Sequence, residues 1–182
     1  MKTVLGLASI AALAALTACG GGEEKAKAPA AAAREMSAGQ WTSQLEVTNF
    51  RQTDQAPRPL LNMPVGTKGE GAACITAADT RRPPPQLFVG PEFENCEWGT
   101  NFYMGRGNLN APMTCRRDGV GEVEITVVAT FTGESYEGRV DMLTRLAAEG
   151  DVILSARTQG RRTGAQCTPG GDAGGNNQSA TK

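Results

Sequence analysis

The stretch that decides the fold runs from Glu94 to Thr163 and reads ENCEWGTNFYMGRGNLNAPMTCRRDGVGEVEITVVATFTGESYEGRVDMLTRLAAEGDVILSARTQGRRT. Apolar residues alternate with polar residues through most of it, and glycine-containing turns interrupt the alternation at short intervals. Alternation of this kind is typical of antiparallel strands that bury one face. The stretch therefore predicts five consecutive β-strands that place their apolar side chains on one face of a sheet.

The first hairpin is predicted from Gly105-Arg106, a Gly-X pair suited to a type II′ turn between Glu94–Met104 and Gly107–Arg116. A two-residue loop at this point also fixes the register of the two strands. The resulting pairs are Cys96 with Cys115, Trp98 with Met113, Thr100 with Ala111 and Phe102 with Leu109. A slip of one residue would mix the apolar and polar sets, so the pattern itself selects this register.

Two further connections of the meander are predicted in the same way. A turn at Gly133-Glu134 pairs Phe131 with Tyr136, Val127 with Val140 and Ile125 with Met142. The segment Ala148-Glu149-Gly150 is typical of a three-residue loop with Gly150 in the left-handed conformation. That loop would set Leu146 against Val152, Thr144 against Leu154 and Met142 against Ala156.

The segment before this stretch predicts a further strand and a short helix. Gln40–Phe50 places Trp41, Ser43, Leu45, Val47 and Asn49 on one face, whereas the proline-containing Arg51–Gly71 is predicted to be mostly loop. Thr76 as an N-cap, with Asp79 three residues later, indicates the start of a short helix that Arg81-Arg82 and the following prolines end. The predicted fold class is all-β: an antiparallel meander of about six strands, forming a curled sheet or a small open barrel with two disulfides.

Composition limits the classes of function. The chain has 182 residues, a net charge of −1 and no histidine, so a single domain is expected. The absence of histidine excludes Ser-His and Cys-His nucleophile pairs and histidine metal ligation. Because no basic block with interleaved aromatic residues is present, nucleic acid is not an expected partner. No catalytic, metal-binding or cofactor-binding residue is assigned, and the chain is expected to be monomeric and not an enzyme.

The N-terminus predicts export and lipid anchoring. Lys2 precedes an apolar run, Val4–Leu16, that is too short to span a bilayer and is typical of a signal peptide. The following Leu16-Thr17-Ala18-Cys19 resembles the bacterial lipobox, in which the cysteine receives a diacylglyceryl group before cleavage. Cys19 would then begin the mature chain, and its acyl chains would hold it to a membrane. An ordinary signal peptide with a coincidental cysteine is the alternative.

The predicted organisation has four parts: a signal peptide at 1–18, a lipid-anchored flexible linker at 19–36, a β domain at 37–167 and a disordered tail at 168–182. Both flanking segments contain too few large apolar residues to offset the entropy of ordering them. Gly20, rather than aspartate, follows the cysteine, which resembles outer-membrane sorting in Gram-negative bacteria. The expected location is therefore the outer membrane, facing the periplasm.

Four cysteines remain after Cys19, an even number that predicts two disulfides in an exported chain. The predicted first hairpin places Cys96 opposite Cys115, and Cys167 leaves the last strand at the other end of the sheet. This favours Cys96–Cys115 together with Cys74–Cys167. Cys74–Cys96 together with Cys115–Cys167 is the alternative and would require strong curling of the sheet.

The order of several short motifs resembles a known family. These are Gly39-Gln40-Trp41, Cys74-Ile75-Thr76, Cys96, Cys115, Phe131–Gly138 and the closing Gly160–Cys167. Together they resemble the bacterial exported proteins grouped as domain of unknown function 3617, over about Ser37–Cys167. Ala77-Ala78 stand where an acidic residue is usual, and the final Gly-to-Cys spacing is one residue longer. The resemblance implies a fold and a location but no activity.

Several residue groups are candidate sites. Arg139, Arg145, Arg157, Arg161 and Arg162 would form a basic outer face for anionic lipid headgroups or a polyanion, or simply a solvated face. A carboxylate pair, Glu122 and Glu124, could act in catalysis or in cross-strand charge pairing. Asp79 beside Arg81 is interpreted as a helix-start acid rather than a general base. The inner-face residues Trp98, Phe102, Tyr136 and Met142 would form a core or line a ligand cavity.

Two functional hypotheses follow. The first is a non-catalytic envelope module that binds another envelope protein or an apolar ligand, the latter inside a small barrel. The second is a periplasmic hydrolase that depends on carboxylates alone. Without histidine or a Gly-x-Ser-x-Gly motif, the first is favoured.

Overall fold

A computed structural model of the chain describes residues 34–53, 61–144 and 151–167. All of the described residues belong to one compact unit. The signal peptide, the lipidation site Cys19, most of the linker and the tail at 168–182 lie outside the described residues. The described elements are β1 (Gly39–Gln52), β2 (Lys68–Ile75), α1 (Gln86–Val89), β3 (Glu94–Trp98), β4 (Tyr103–Gly105), β5 (Asn108–Arg117), β6 (Gly121–Phe131), β7 (Ser135–Thr144) and β8 (Val152–Gly164).

The strands form one antiparallel sheet in the order β2-β1-β8-β7-β6-β5-β3, and β4 also pairs with β5. The sheet is curled into a half-barrel whose two edges do not meet. The predicted all-β antiparallel class is confirmed, with eight strands among the described residues rather than about six. The sheet is not a simple meander, because β1 lies between β2 and β8 and joins the two ends of the domain.

The register predicted for β6 and β7 is confirmed. Phe131 lies opposite Tyr136, Val127 opposite Val140 and Ile125 opposite Met142. The hydroxyl of Thr132 accepts hydrogen bonds from the backbone N–H groups of Glu134 and Ser135, at 3.1 and 3.0 Å. These bonds stabilise the two-residue turn that the sequence indicates.

The predicted first hairpin is correct at Trp98 and Met113 but wrong at its tip. Pro112 has no N–H group to donate. The Gly99 N–H donates a hydrogen bond to the Pro112 carbonyl oxygen at 2.8 Å, and regular pairing then stops until β4 begins at Tyr103. Pairing resumes two residues out of phase. Tyr103 lies opposite Asn110 and Met104 opposite Leu109.

The turn of this hairpin is Arg106-Gly107 rather than Gly105-Arg106. Arg106 and Gly107 have φ angles of 52° and 75°, and two positive φ angles are what a type I′ turn requires. Thr100 and Phe102 therefore do not lie opposite Ala111 and Leu109. Because the two strands are displaced by two residues, the side chains that pair keep their predicted faces, whereas Thr100 lies exposed in the turn between β3 and β4.

The register predicted for β7 and β8 is also wrong by two residues. Met142 lies opposite Leu154 rather than Ala156, and the pairing ends at Leu143 and Ile153. The Thr144 hydroxyl accepts a hydrogen bond from the Val152 N–H at 2.9 Å, so a side chain replaces the next main-chain partner. The predicted Ala148-Glu149-Gly150 loop and Leu146 lie outside the described residues.

The segment from Arg51 to Asp79 contains more strand and less helix than predicted. β1 extends to Gln52, and β2 begins at Lys68 inside the predicted loop. A bulge between Val47 and Asn49 switches the inward position from Asn49 to Phe50. Thr76 and Asp79 form the predicted cap-like hydrogen bonds, but these close a turn rather than a helix.

The core lies on the face of the sheet that carries α1, which is called the inner face below. Helix α1 follows the proline run directly, with Pro85 at its N-cap position. Its Leu87, Phe88 and Val89 are buried against the sheet, together with Phe93 and Met36 from the neighbouring segments. The opposite face carries mostly exposed polar side chains and is called the outer face.

Candidate functional site

The inner face is filled by the chain's own side chains. Tyr136 and Met142 are buried, and Trp98 and Phe102 are half-buried at one edge of the core. The Phe88 ring packs against Tyr136 and Trp98 with centroid distances of 4.7 and 5.7 Å. Phe102 packs on Trp98 at 5.1 Å. Of the two predicted roles of this face, core and ligand cavity, the packing corresponds to core.

A polar connection joins the sheet to α1 inside this core. The Tyr136 hydroxyl donates a hydrogen bond to the Leu87 carbonyl oxygen at 2.6 Å, and the Thr158 hydroxyl donates one to the Phe88 carbonyl oxygen at 3.2 Å. The two hydroxyl oxygens are 3.3 Å apart. Burial raises the pKa of Tyr136 well above its usual value, although the hydrogen bonds to Thr158 and Ser43 oppose the shift. Tyr136 is therefore a neutral structural group.

Small residues allow α1 to lie close to the sheet. Ser43 is directly opposite Gly71 on one side and Gly160 on the other. A Cβ atom at Gly71 would clash with the Ser43 hydroxyl and lie 3.2 Å from the Gln86 carbonyl oxygen, and one at Gly160 would clash with the Tyr136 ring. The sheet therefore has no spare volume beneath the helix at these positions.

The outer face carries two open grooves that cross the strands. The first, called the polar groove, has a volume of about 920 Å³ and lies between two rows of side chains. The first row contains Thr132, Ser135, Arg161, Thr42 and Ala72, and the second contains Thr130, Glu137, Gln159, Gln44 and Glu70. Eight of these ten side chains end in a hydroxyl, amide or carboxylate group.

The second groove, called the mixed groove, has a volume of about 680 Å³ and shares the Thr130 and Glu137 wall. Its other wall is a row of directly opposed residues on five strands. In order from β4 to β8 these residues are Tyr103, Asn110, Val128, Arg139 and Arg157. The row therefore combines an aromatic and an aliphatic side chain with two guanidinium groups.

The predicted basic face is only partly correct. Arg139, Arg157 and Arg161 lie exposed on the outer face, and Arg145 lies outside the described residues. Arg162 points to the inner side, because adjacent residues of a strand point to opposite faces. Its Nε donates to the Ala38 carbonyl oxygen at 2.8 Å, and its Nη1 lies 3.1 Å from Glu134 Oε1. Arg162 therefore holds the start of β1 in place.

The acidic candidates do not converge on either groove. Glu122 lies opposite Arg116, and Glu124 lies opposite Thr114 and Leu143. Asp141 lies opposite Thr126, two residues along β6 from Glu124, and Arg145 lies outside the described residues. Asp79 accepts hydrogen bonds from Thr76, while Arg81 forms an ion pair with Glu35 at 3.1 Å. Glu122 and Glu124 therefore lie on the sheet surface, and Asp79 lies in a turn.

The favoured disulfide connectivity is present: Cys74 is bridged to Cys167, and Cys96 to Cys115. The first bridge joins β2 to the end of β8 across β1, and the second joins β3 to β5. Cys115 is fully buried, whereas Cys167 is exposed. In the described part of the chain, no group of three or more Asp, Glu, Cys or His side chains is placed to hold a metal ion.

A comparison with protein-family models matches residues 36–167 to a family described as a protein of unknown function, DUF3617. The chain belongs to the DUF3617 family. In this DUF3617 protein the matched segment begins at Met36, whose N–H bonds to the Thr80 carbonyl oxygen, and ends at the bridged Cys167. Comparisons with curated proteins and with solved structures found no match. None of the helices in the described ranges has the length and apolar character needed to cross a membrane.

The sequence of this DUF3617 protein did not predict that the groove residues lie side by side, although the outward position of some of them was predicted. Alternation did predict that Val128, Glu137 and Gln159 face away from the core. It did not predict β2, which contributes Glu70 and Ala72 to the polar groove. The alignment of outward side chains into rows depends on the register of every strand pair, and the motifs of the family carry no signal for it.

Proposed function

We propose that this DUF3617 protein is a lipid-anchored module of the bacterial envelope that binds a partner through the outer face of its sheet without catalysing a reaction. The observation that carries the proposal is the contrast between the two faces. The inner face is occupied by α1 and aromatic side chains, whereas the outer face carries two open grooves. A module of this kind would bind its partner on the surface of the sheet rather than enclose a ligand inside it.

The sequence supports the proposed location. The Leu16-Thr17-Ala18-Cys19 segment resembles a lipobox, and two disulfides are typical of proteins in oxidising compartments. An anchor of several acyl chains is sufficient for stable membrane attachment. The proposed position is therefore the periplasmic side of the outer membrane.

The packing favours a protein partner over an apolar ligand held inside the sheet. Phe88, Phe93 and Trp41 occupy the space that an acyl chain would need, and Tyr136 and Thr158 fix α1 over it. Opening this core would expose buried apolar surface, at about 25 cal/mol per Å². A partner on the outer face requires no such rearrangement.

The anchor is tested by expressing the full chain and its Cys19→Ser variant in a Gram-negative host. We expect the wild-type protein in the outer-membrane fraction, with an intact mass that includes the acyl chains. The variant should lack the acyl mass and leave the membrane fraction. Retention of the variant in the outer membrane, or a wild-type mass without acyl chains, would overturn the proposed anchoring.

The binding face is tested by placing a photoreactive amino acid at Thr130, between the grooves, and at Val65 as a control. Both positions are exposed, but Val65 lies outside both grooves. We expect a discrete cross-linked protein in intact cells from Thr130 and none from Val65. The same product from both positions, or none from Thr130, would contradict a specific outer-face partner.

A further inference from the structure

The mixed groove contains two guanidinium groups in direct opposition. Arg139 and Arg157 are cross-strand partners on β7 and β8, and like charges in this position destabilise a sheet. Arg139 is held by Asp141, with its Nε 2.9 Å from Oδ2. Across the described ranges, Arg157 makes neither an ion pair nor a side-chain hydrogen bond, although Glu46 is its opposite neighbour on β1. The pair is therefore a cationic site with free hydrogen-bond donors.

The same row ends in apolar side chains that remain exposed. Val128, directly opposite Arg139, is 43% exposed, and Tyr103, two strands further, is 52% exposed. Side chains of this size gain from burial against a ligand, by about 25 cal/mol per Å² of apolar surface. A ligand that fills the groove would thus be anionic at the Arg157 end and apolar towards Tyr103.

The dimensions and the opposite wall favour a peptide. Four strand spacings separate Tyr103 from Arg157, which corresponds to about 19 Å, or about six residues of extended chain. Asn108, Asn110, Thr130 and Glu137 line the groove between these ends. An acyl chain would remove water from these polar groups without replacing their hydrogen bonds, whereas peptide N–H and C=O groups would replace them.

We infer that the mixed groove binds the C-terminal segment of an envelope protein in extended form. Arg139 and Arg157 hold the terminal carboxylate, because guanidinium groups bind carboxylates through paired, charge-assisted hydrogen bonds. Val128 and Tyr103 contact apolar side chains of the preceding residues. The inference rests on the proposed function, of which it specifies the partner's chemistry.

The test uses the full-length lipidated protein in detergent and two degenerate hexapeptide libraries. The libraries are identical except that one has free C-terminal carboxylates and the other has C-terminal amides. Affinity selection with mass-spectrometric readout is run on the wild-type protein and on the Arg139→Gln/Arg157→Gln variant. The matched control is Arg51→Gln/Arg116→Gln, which removes two charges from outer-face positions outside the groove.

We expect enrichment of carboxylate peptides with apolar residues before the terminus, and at least tenfold weaker enrichment of their amides. A tenfold difference corresponds to about 1.4 kcal/mol, which is within the range of hydrogen bonds to charged groups. The Arg139→Gln/Arg157→Gln variant should lose the enrichment at least tenfold, and the matched control should retain it within about twofold.

Equal enrichment of carboxylates and amides, enrichment from neither library, or enrichment that survives the loss of Arg139 and Arg157 would overturn the inference. A lipid adduct seen by native mass spectrometry in the wild type and lost in the double variant would also overturn it, in favour of a lipid ligand. Cross-linking from Thr130 that persists while the library selection fails would leave the proposed function standing and remove only this assignment. If the Thr130 cross-link and the library selection both fail, the proposed function is overturned as well.

Discussion

The hydroxyl of Tyr136 on β7 donates a 2.6 Å hydrogen bond to the carbonyl oxygen of Leu87 in α1. Both groups are buried, so the bond is made without competition from water. It couples the centre of the sheet to the only helix of the described ranges, which has four residues. A helix this short has little stability of its own, and its position depends on contacts of this kind.

Replacing Tyr136 by phenylalanine is expected to lower the free energy of unfolding by about 1–3 kcal/mol, because the Leu87 carbonyl loses its buried partner. The measurement is urea unfolding followed by tryptophan fluorescence. The matched control is Tyr103→Phe, at an exposed tyrosine, where a change within about 0.5 kcal/mol is expected. An equal decrease in the free energy of unfolding in the two variants would show that the buried hydrogen bond of Tyr136 does not stabilise the fold.

The same tyrosine predicts a loss of stability at alkaline pH. Its pKa in the folded protein is raised by burial, whereas in the unfolded chain it is about 10. Below pH 10 the phenol is protonated in both states and contributes no pH dependence. Above pH 10 only the unfolded state releases the proton, so this group lowers the free energy of unfolding by about 1.4 kcal/mol per pH unit.

The alkaline effect is measured as the difference in unfolding free energy between the wild type and Tyr136→Phe at pH values from about 9 to about 11. The difference should shrink as the pH rises, because the variant lacks the titrating group. Tyr103 is present in both proteins, so its contribution cancels. A difference that stays constant would contradict the burial-raised pKa.

Gly160 is expected to be intolerant of even the smallest side chain. A Cβ atom there would clash with the Tyr136 ring and lie 3.0 Å from the Thr42 carbonyl oxygen. Gly160→Ala should therefore lower the free energy of unfolding by about 1–3 kcal/mol. Gly69→Ala is the matched control in β2, since its Cβ would lie 3.5 Å from a Glu92 carboxylate oxygen; no loss is expected. The free energies of unfolding of both variants are measured by chemical denaturation. An unchanged value for Gly160→Ala would contradict the close packing.

The Cys74–Cys167 bridge is expected to stabilise the domain strongly, because it closes a loop of 93 residues in the unfolded chain. In the chain-entropy model, Cys74→Ala/Cys167→Ala should lower the free energy of unfolding by about 4–5 kcal/mol. Urea unfolding without reductant measures the loss, and a loss below about 1 kcal/mol would contradict this model. Non-reducing peptide mapping of the wild type should recover Cys74 joined to Cys167; Cys74 joined to Cys96 would contradict the pairing.

The sequence allowed good prediction where the interactions are local. The β6–β7 hairpin follows from the alternation around Gly133-Glu134, and its register is as predicted from Phe131–Tyr136 to Ile125–Met142. The disulfide pairing followed from the same reasoning, since the face and the end of each strand were known. Turn chemistry and alternation act over a few residues and need no knowledge of the rest of the fold.

The two register errors have one physical cause. Side chains alternate with a period of two along a strand, so a displacement of two residues leaves the inward set unchanged. The apolar pattern therefore cannot distinguish Met142 opposite Leu154 from Met142 opposite Ala156. In the structure, the Thr144 hydroxyl and the missing N–H group of Pro112 decide between such registers.

β2 could not be predicted from its own residues. Gly69, Gly71, Ala72 and Ala73 have low strand propensity. The strand forms because it pairs with β1 along its length, is covered by α1 and is bridged through Cys74 to Cys167. All three contacts join residues that are distant in the chain.

The sequence by itself thus determined the all-β class and the apolar face of the central strands, and it favoured the observed pairing of the four domain cysteines over one alternative, because these depend on alternation, turns and chain direction. Only the tertiary structure decided that β1 lies between β2 and β8, that α1 fills the inner face, and that Arg139 and Arg157 share a groove with Val128 and Tyr103. These features require the relative register of several strands. A pattern with a period of two residues does not encode that register.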